Sequence, residues 1–252
     1  MPRTTMSEDL QARIRQLILD RGLGPGAPIP TEPELMELFD VSRVSVREAL
    51  KALQALRVVE IRRGSGTVVG SLSLAPFAEG LAFRAAVRHR SGQAGLYELM
   101  RVREALEAGL IVSVAASVPA EDLEVLQGIV AEMEREAVEE GRIARATDRA
   151  FHQALYRSLD NHLLSEVLDA FWAAMEKVRG DFDDGHQDPR ATCAHHREIV
   201  AAVAAGDGPR AERAMRTHFD GIRERLTAAP GPGTETGAAA GGARAASAAR
   251  GA

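Results

Sequence analysis

Residues 24–69 read GPGAPIPTEPELMELFDVSRVSVREALKALQALRVVEIRRGSGTVV, and the changes of pattern within this stretch decide the fold of the N-terminal part. Thr31 stands where a helix N-cap would, with Glu34 placed to close a capping box and Pro33 tolerated in the first turn. Leu35, Leu38 and Phe39 then give a short helix its apolar side. After a turn at Asp40 and Val41, Ser42 can cap a second helix whose stripe is Val46, Ala49, Leu50 and Leu53. From Val58 the period shortens to the β-branched runs VVEI and TVV, divided by R-R-G-S-G, the pattern of a two-stranded hairpin with a glycine turn. The spacing predicts helix, tight turn, helix and then a basic β-wing.

Upstream, Leu10, Ile14, Leu17 and Ile18 repeat at helical spacing and stop at Gly22, Gly24, Pro25 and Gly26, so another helix precedes the pair. Downstream of Gly70 the pattern is helical throughout, broken at Pro119, Gly141, Asn161, Gly185 and Gly206-Asp207-Gly208, and it yields six or seven helices with no strand. The chain is therefore expected to be mainly α. A winged helix-turn-helix is expected over 1–70, a connecting helical segment over 71–94 and an all-α bundle over 95–228. The last 24 residues, 229–252, hold ten Ala, six Gly and two Pro; they cannot bury a core and are expected to be disordered.

Composition removes several classes of function. Of 252 residues 45% are hydrophobic and 27% charged, and no apolar run approaches the roughly 18 residues of a membrane span. The N-terminus MPRTTMSEDLQARIRQ lacks an apolar leader core and Cys193 is the sole cysteine, so a cytoplasmic protein without disulfides is expected. Aromatic residues make up only 4%, too few for a base-stacking RNA platform. The net charge of −5 hides a split: residues 41–63 carry six basic side chains (Arg43, Arg47, Lys51, Arg57, Arg62, Arg63) against Glu48 and Glu60. That local excess is what a phosphate backbone feels.

A helix-turn-helix followed by a wing is a geometry that docks in the major groove, with the N-terminal residues of the second helix at the base edges. Arg43 and Arg47 lie i, i+4 on the face opposite the Val46/Leu50/Leu53 stripe, and Ser42 and Ser45 are short polar groups at the same end, suited to phosphates. In the wing, Gly64 and Gly66 let backbone approach DNA closely, flanked by Arg62 and Arg63. The P-G-x-x-x-P approach, the V-S-R-x-x-V-R-E-A-L helix and the R-R-G-x-G-T wing resemble the winged-helix domain of GntR-family transcription regulators over about residues 8–70. That resemblance implies operator contacts by Ser42, Arg43, Ser45, Arg47 and Gly64. Pro33 departs from it, since many members carry a basic residue there, and one DNA contact is expected to be missing.

Farther on, positions can be read at about 100° per residue of helix. Asp148 and His152 then share an apolar face with Phe151, Leu155 and Leu159. His196 is centred among Ile199, Val200 and Val203, with His195 at the edge, and His218 joins Met215, Ile222 and Leu226. A carboxylate on such a face must be paired or hold a metal. Asp148 and His152 satisfying each other is one solution; one Asp and three His from three helices forming a divalent-metal shell with open positions is the other. His162 reads as a turn residue, and His89 and His186 as solvent-facing. Arg103 is also inward, with Leu99, Leu106, Leu110 and Val114, either in a buried pair with Glu107 or forking onto a carboxylate ligand.

The motifs L-x-x-V-R-x-x-L-E at 99–107, D-x-x-x-H at 148–152, H-R-x-I at 196–199 and A-M-R-x-H at 214–218 resemble the FCD ligand-binding domain of the FadR-like branch of that family, over about residues 95–227. The resemblance implies that Asp148, His152, His196 and His218 hold a divalent ion such as zinc, nickel or manganese, with Arg103 facing the effector. The expected protein is a ligand-responsive transcription regulator, not an enzyme. It would bind a palindromic operator as a homodimer and sense a small organic acid. A repressor for which the ion itself is the signal and, further off, a metal-dependent hydrolase use the same residues.

Overall fold

The computed structural model describes residues 6–91, 95–179 and 188–228. The side chains of Met6, His89, Arg179, Ile222 and residues 224–228 lie outside that description, as do His186 and the tail 229–252 for which disorder is expected.

The N-terminal part is α1 (Met6–Asp20), α2 (Glu32–Phe39), α3 (Arg43–Ala55), β1 (Val59–Arg62) and β2 (Gly66–Val69). The Glu34 carboxylate accepts from the Thr31 backbone N–H at 2.7 Å and its hydroxyl at 2.8 Å, which fixes the start of α2. Asp40 ends that helix in the left-handed region at φ 51°, and Ser42 Oγ accepts from the Ser45 N–H at 3.2 Å to begin the next. Val46, Ala49, Leu50 and Leu53 of α3 are buried against Leu10, Ile14 and Ile18 of α1 and Leu35 of α2. The opposite face of α3 is thereby left in solvent.

In the wing, Val59 stands opposite Val69 and Arg62 opposite Gly66, with Gly64 and Gly66 at φ 77° and 86° in the turn. The structure adds a third participant that periodicity did not disclose. The Gly26 and Ile29 N–H groups donate to Val69 and Thr67 carbonyls at 2.9 and 3.0 Å, and the Val69 N–H donates to Ala27 O at 2.8 Å. Three prolines in GPGAPIP (Pro25, Pro28 and Pro30) hide this segment from a strand reading, yet the bonds that are made use the N–H groups of Gly26 and Ile29 and need none of the missing donors.

At the exit of the wing, the Gly70 N–H donates to Val58 O and the Leu72 N–H to Arg57 O, at 2.9 and 3.0 Å. A Cβ on Gly70 would lie 2.3 Å from the Arg57 carbonyl oxygen, so this close approach requires glycine. Gly70→Ala is expected to destabilise the N-terminal part by about 1–3 kcal/mol, the usual cost of overpacking against unyielding atoms. Urea denaturation followed by circular dichroism measures it, and an unchanged midpoint would show that the junction yields.

Beyond it come α4 (Ala75–Arg90), α5 (Gly95–Ser117), α6 (Ala120–Glu139), α7 (Arg145–Leu155), a 3-10 turn at Arg157–Leu159, α8 (His162–Arg179), α9 (Pro189–Ala204) and α10 (Gly208–Ala228). The protein is mainly α, as expected. Helix α5 runs through the middle, touching α4, α8, α9 and α10, and residues from Leu96 to Ala115 on more than one side of it are buried. This core shares no residue with that of the winged part. None of the described helices is long and apolar enough to cross a membrane.

The single helix expected between the breaks at Gly141 and Asn161 is itself interrupted. Tyr156, 2% exposed, donates its hydroxyl to Glu107 O at 3.0 Å, Arg157 reaches Asp122 of α6, and Asp160 turns left-handed at φ 46°. His162 opens α8 instead of sitting in the turn, because Asn161 Oδ1 accepts from the Leu164 N–H at 3.1 Å and caps that helix.

Candidate functional site

Helix α7 supplies Asp148 and His152 from one face, α9 supplies His196 and α10 supplies His218. One ligand atom from each lies within 4.8 Å of all the others. The imidazoles are 0–2% exposed and the Asp148 side chain 28%. Helical position alone turns each group inward: Phe151 and Leu155 accompany His152 into the core, Ile199 and Val203 accompany His196, and Met215 and Phe219 flank His218.

Hydrogen bonds behind the site decide what these groups present to its centre. His196 Nδ1 lies 2.8 Å from Thr192 O; a carbonyl only accepts, so Nδ1 carries a proton. His152 Nδ1 likewise faces Glu107 Oε2 at 2.5 Å. In the neutral form of each ring the remaining Nε2 is a lone pair, and these lie 3.1 Å (His196) and 3.8 Å (His152) from the same oxygen, Asp148 Oδ1. Lone pairs converging on a carboxylate require a proton or a cation between them. His152 Nε2 and His218 Nδ1 are buried without a hydrogen-bond partner.

Burial pushes the Asp148 carboxyl upward, but its hydrogen bond to His196 and the neighbouring charges of His152, His196 and His218 outweigh this and hold it far below the usual carboxylate range. Burial, reinforced by His196 and His152, pushes His218 well below the usual imidazole value, so it offers a lone pair at neutral pH. The donor set of three imidazoles and a carboxylate suits a divalent ion of the zinc, nickel or manganese kind. Ligands about 2.1 Å from one ion would lie about 3–4 Å apart, so the arrangement here, with its ligand atoms within 4.8 Å of one another, would close by about 1 Å around an ion.

Arg103, 1% exposed, forms the buried pair with Glu107. Its Nε donates to Glu107 Oε1 at 2.5 Å, while Nη2 is buried without a partner and the guanidinium lies 4.0 Å over the Trp172 ring. Glu107 was legible only as the i+4 partner of Arg103. Its second role, orienting His152 from 45 residues away, has no signature in spacing. His195 stands aside, half-buried with its ring 6.5 Å from that of His218.

On the winged part, Arg43 and Arg47 are exposed at 67% and 60%, and Ser42 and Ser45 meet hydroxyl to hydroxyl at 2.9 Å. Sequence reasoning missed Glu32. Its two carboxylate oxygens lie 3.1 Å from Arg43 Nε and from Arg47 Nε, so one acidic side chain of α2 bridges both arginines. In the wing Arg62 pairs with Glu60 at 3.1 Å, and Arg63 and Gly64 are exposed.

Residues 6–69 match the gntR family of bacterial regulatory proteins and residues 98–221 match the FCD domain. The chain is 32% identical over 218 residues to the HTH-type transcriptional regulator LutR of Bacillus subtilis, covering 84% of this chain and 96% of LutR. It is 28% identical over 226 residues to the Uxu operon transcriptional regulator of Escherichia coli, covering 87% and 86% of the two chains. Among solved structures, Streptococcus agalactiae GntR superposes with a TM-score of 0.61 at 26% identity, covering 87% of this chain and 99% of that one. A winged helix with an exposed second-helix face, an all-α part built round α5 and relatives that are regulators end to end lead to one conclusion: the chain belongs to the gntR family of bacterial transcription regulators, with an FCD domain, and is not an enzyme.

Proposed function

We propose that the protein is a cytoplasmic, homodimeric operator-binding regulator whose affinity for DNA responds to a small carboxylate held at a divalent-metal centre. The observation that carries this reading is the convergence of the His152 and His196 lone pairs on Asp148, with His218 alongside. When bound, the ion supplies a Lewis-acidic anchor for a carboxylate. Asp148, His152, His196 and His218 would hold it, Glu107 fixes the His152 tautomer, and the unpartnered Nη2 of Arg103 donates to the acid.

For DNA, Arg43 and Arg47 reach base edges, Ser42 and Ser45 at the start of α3 meet phosphates, and Arg62, Arg63 and Gly64 bring the wing to the backbone. Glu32 engages the arginines through Nε and leaves their Nη donors for guanine. Its negative charge also discourages indiscriminate phosphate binding. Glu32→Gln is expected to raise affinity for random-sequence DNA several-fold while lowering the preference for the operator, since each exposed pair is worth about 0–1 kcal/mol. Fluorescence anisotropy with operator and scrambled duplexes over a salt series reads both, and an unchanged ratio would leave Glu32 without that role.

Palindromic sites mirror two-fold symmetry, and one winged helix offers few contacts. Sedimentation is expected to show a dimer at micromolar concentration; only monomer, with and without operator, overturns that part. The whole reading is tested by varying metal and organic acids independently in an operator-binding assay. An acid effect that requires metal supports it, and by linkage the operator must change acid affinity by the same factor. A metal effect with no acid dependence makes the ion the signal instead.

A further inference from the structure

Near the converging ligands lies a cavity of about 170 Å³, lined by Arg145, Ala146 and Arg149 of α7 and by Trp172, Met175 and Glu176 of α8. It shares walls with the surroundings of Arg103. The Trp172 ring lies 4.0 Å from the Arg103 guanidinium carbon and 5.6 Å from the His152 ring, and Met175 Sδ is 3.8 Å from Arg103 Nη1. Along α7, Arg145, Asp148, Arg149 and His152 stand at i, i+3, i+4 and i+7, which is one helix face. At 1.5 Å per residue Arg149 lies about 4.5 Å, and Arg145 about 10 Å, along the axis from His152. The cavity thus lies along the same side of α7 as the ligand cluster, towards that helix's N-terminus, and shares Trp172 and Met175 with the surroundings of Arg103.

Two donors in its lining have no acceptor. Trp172 is 7% exposed and its indole Nε1 is buried without a partner. Arg149 Nε is buried and unpartnered too, although Arg149 Nη2 donates to Asp169 at 2.9 Å. Buried donors in folded proteins nearly always have a partner, and an orphan indicates a role that an acceptor completes. The lining sets Arg145 and Arg149 beside Glu176 while Asp169 pairs with Arg149, so it is the orphaned N–H groups of Trp172 and Arg149 that favour acceptor oxygens there.

We propose that this cavity is a second subsite for the acid, taking its far end, and that it selects acids bearing a second carboxylate or hydroxyl oxygens there over acids ending in plain alkyl. The proposal rests on the reading that the acid's head is held at the four ligands and Arg103. Trp172 Nε1–H and Arg149 Nε–H donate to the far-end oxygens, and the indole face and Met175 pack against the carbon chain. A site with committed donors rejects an analogue that lacks the acceptors, because its own buried groups are then left unpaired.

Calorimetry on the zinc-loaded full chain with malate and 2-hydroxybutyrate tests this. Both are four-carbon α-hydroxy acids with the same head; one ends in a carboxylate and the other in a methyl group. Malate is expected to bind at least about 10-fold more tightly. In Arg149→Lys, which keeps the charge towards Asp169 but not the Nε–H, and in Trp172→Phe, which keeps a ring but not the indole N–H, the ratio is expected to fall to about 3 or below. A ratio within one variant does not depend on the fraction folded, so partial misfolding cannot mimic the result. Equal affinity for the two acids in the unmodified chain, or a ratio unchanged in both variants, overturns the subsite alone. If neither acid binds, the carboxylate reading falls and takes the subsite with it.

Discussion

His218→Ala is expected to lower divalent-metal affinity by more than about 100-fold, beyond the 10–100-fold usual for losing a group that merely orients a ligand. The reason is geometric: α10 contributes His218 alone, whereas α7 and α9 supply the other three donors, so no neighbour replaces it. Its burial and depressed basicity mean that the lone pair is available at neutral pH without displacing a proton. Saturating zinc should raise the melting temperature of the unmodified chain and leave the variant unmoved, because a ligand stabilises only the state that binds it. Glu107→Gln keeps the shape but removes the carboxylate that fixes His152 Nδ1–H, and is expected to cost about 10–100-fold. His195→Ala should do little. If protein prepared without chelator or affinity tag holds no stoichiometric ion and binds no added zinc, nickel or manganese, the four residues are a hydrogen-bonded core network, with His196 and Asp148 sharing a proton.

The second large effect is expected at the face of α3. Arg43→Ala and Arg47→Ala should each cost about 1–3 kcal/mol of operator affinity, the worth of a bidentate base contact. The double variant should bind operator no better than unrelated sequence. Folding should be untouched, since both side chains are largely exposed and the stripe that packs α3 lies opposite. Losing both arginines also strands Glu32 near the DNA phosphates, so part of the loss is repulsion. Adding Glu32→Gln to the double variant should recover affinity for DNA of any sequence but not the preference for the operator. Anisotropy titrations at several salt concentrations separate the two, because a phosphate contact changes the salt slope and a base contact changes discrimination. Full operator affinity in the double variant would remove α3 from the interface.

By itself the sequence determined most of what has a local cause, the Asn161 cap that opens α8 at His162 being the exception. Capping at Thr31 and Ser42, the apolar stripe of α3 and the glycine turn at Gly64 and Gly66 each depend on residues within a few positions of one another, and the structure has each of them. The inward turn of Asp148, His152, His196 and His218 was legible for the same reason. Helix geometry sets angular position residue by residue, so polar groups centred on apolar faces had to meet somewhere in the core. Only the tertiary structure decided who faces whom. Glu107 behind His152, Glu32 between Arg43 and Arg47, Trp172 against Arg103, the segment at Gly26–Ile29 alongside the wing and the break at Tyr156 all depend on how separate elements pack. No period encodes such pairings, since a side chain's partner on another helix depends on crossing angle and depth, which the whole core sets together.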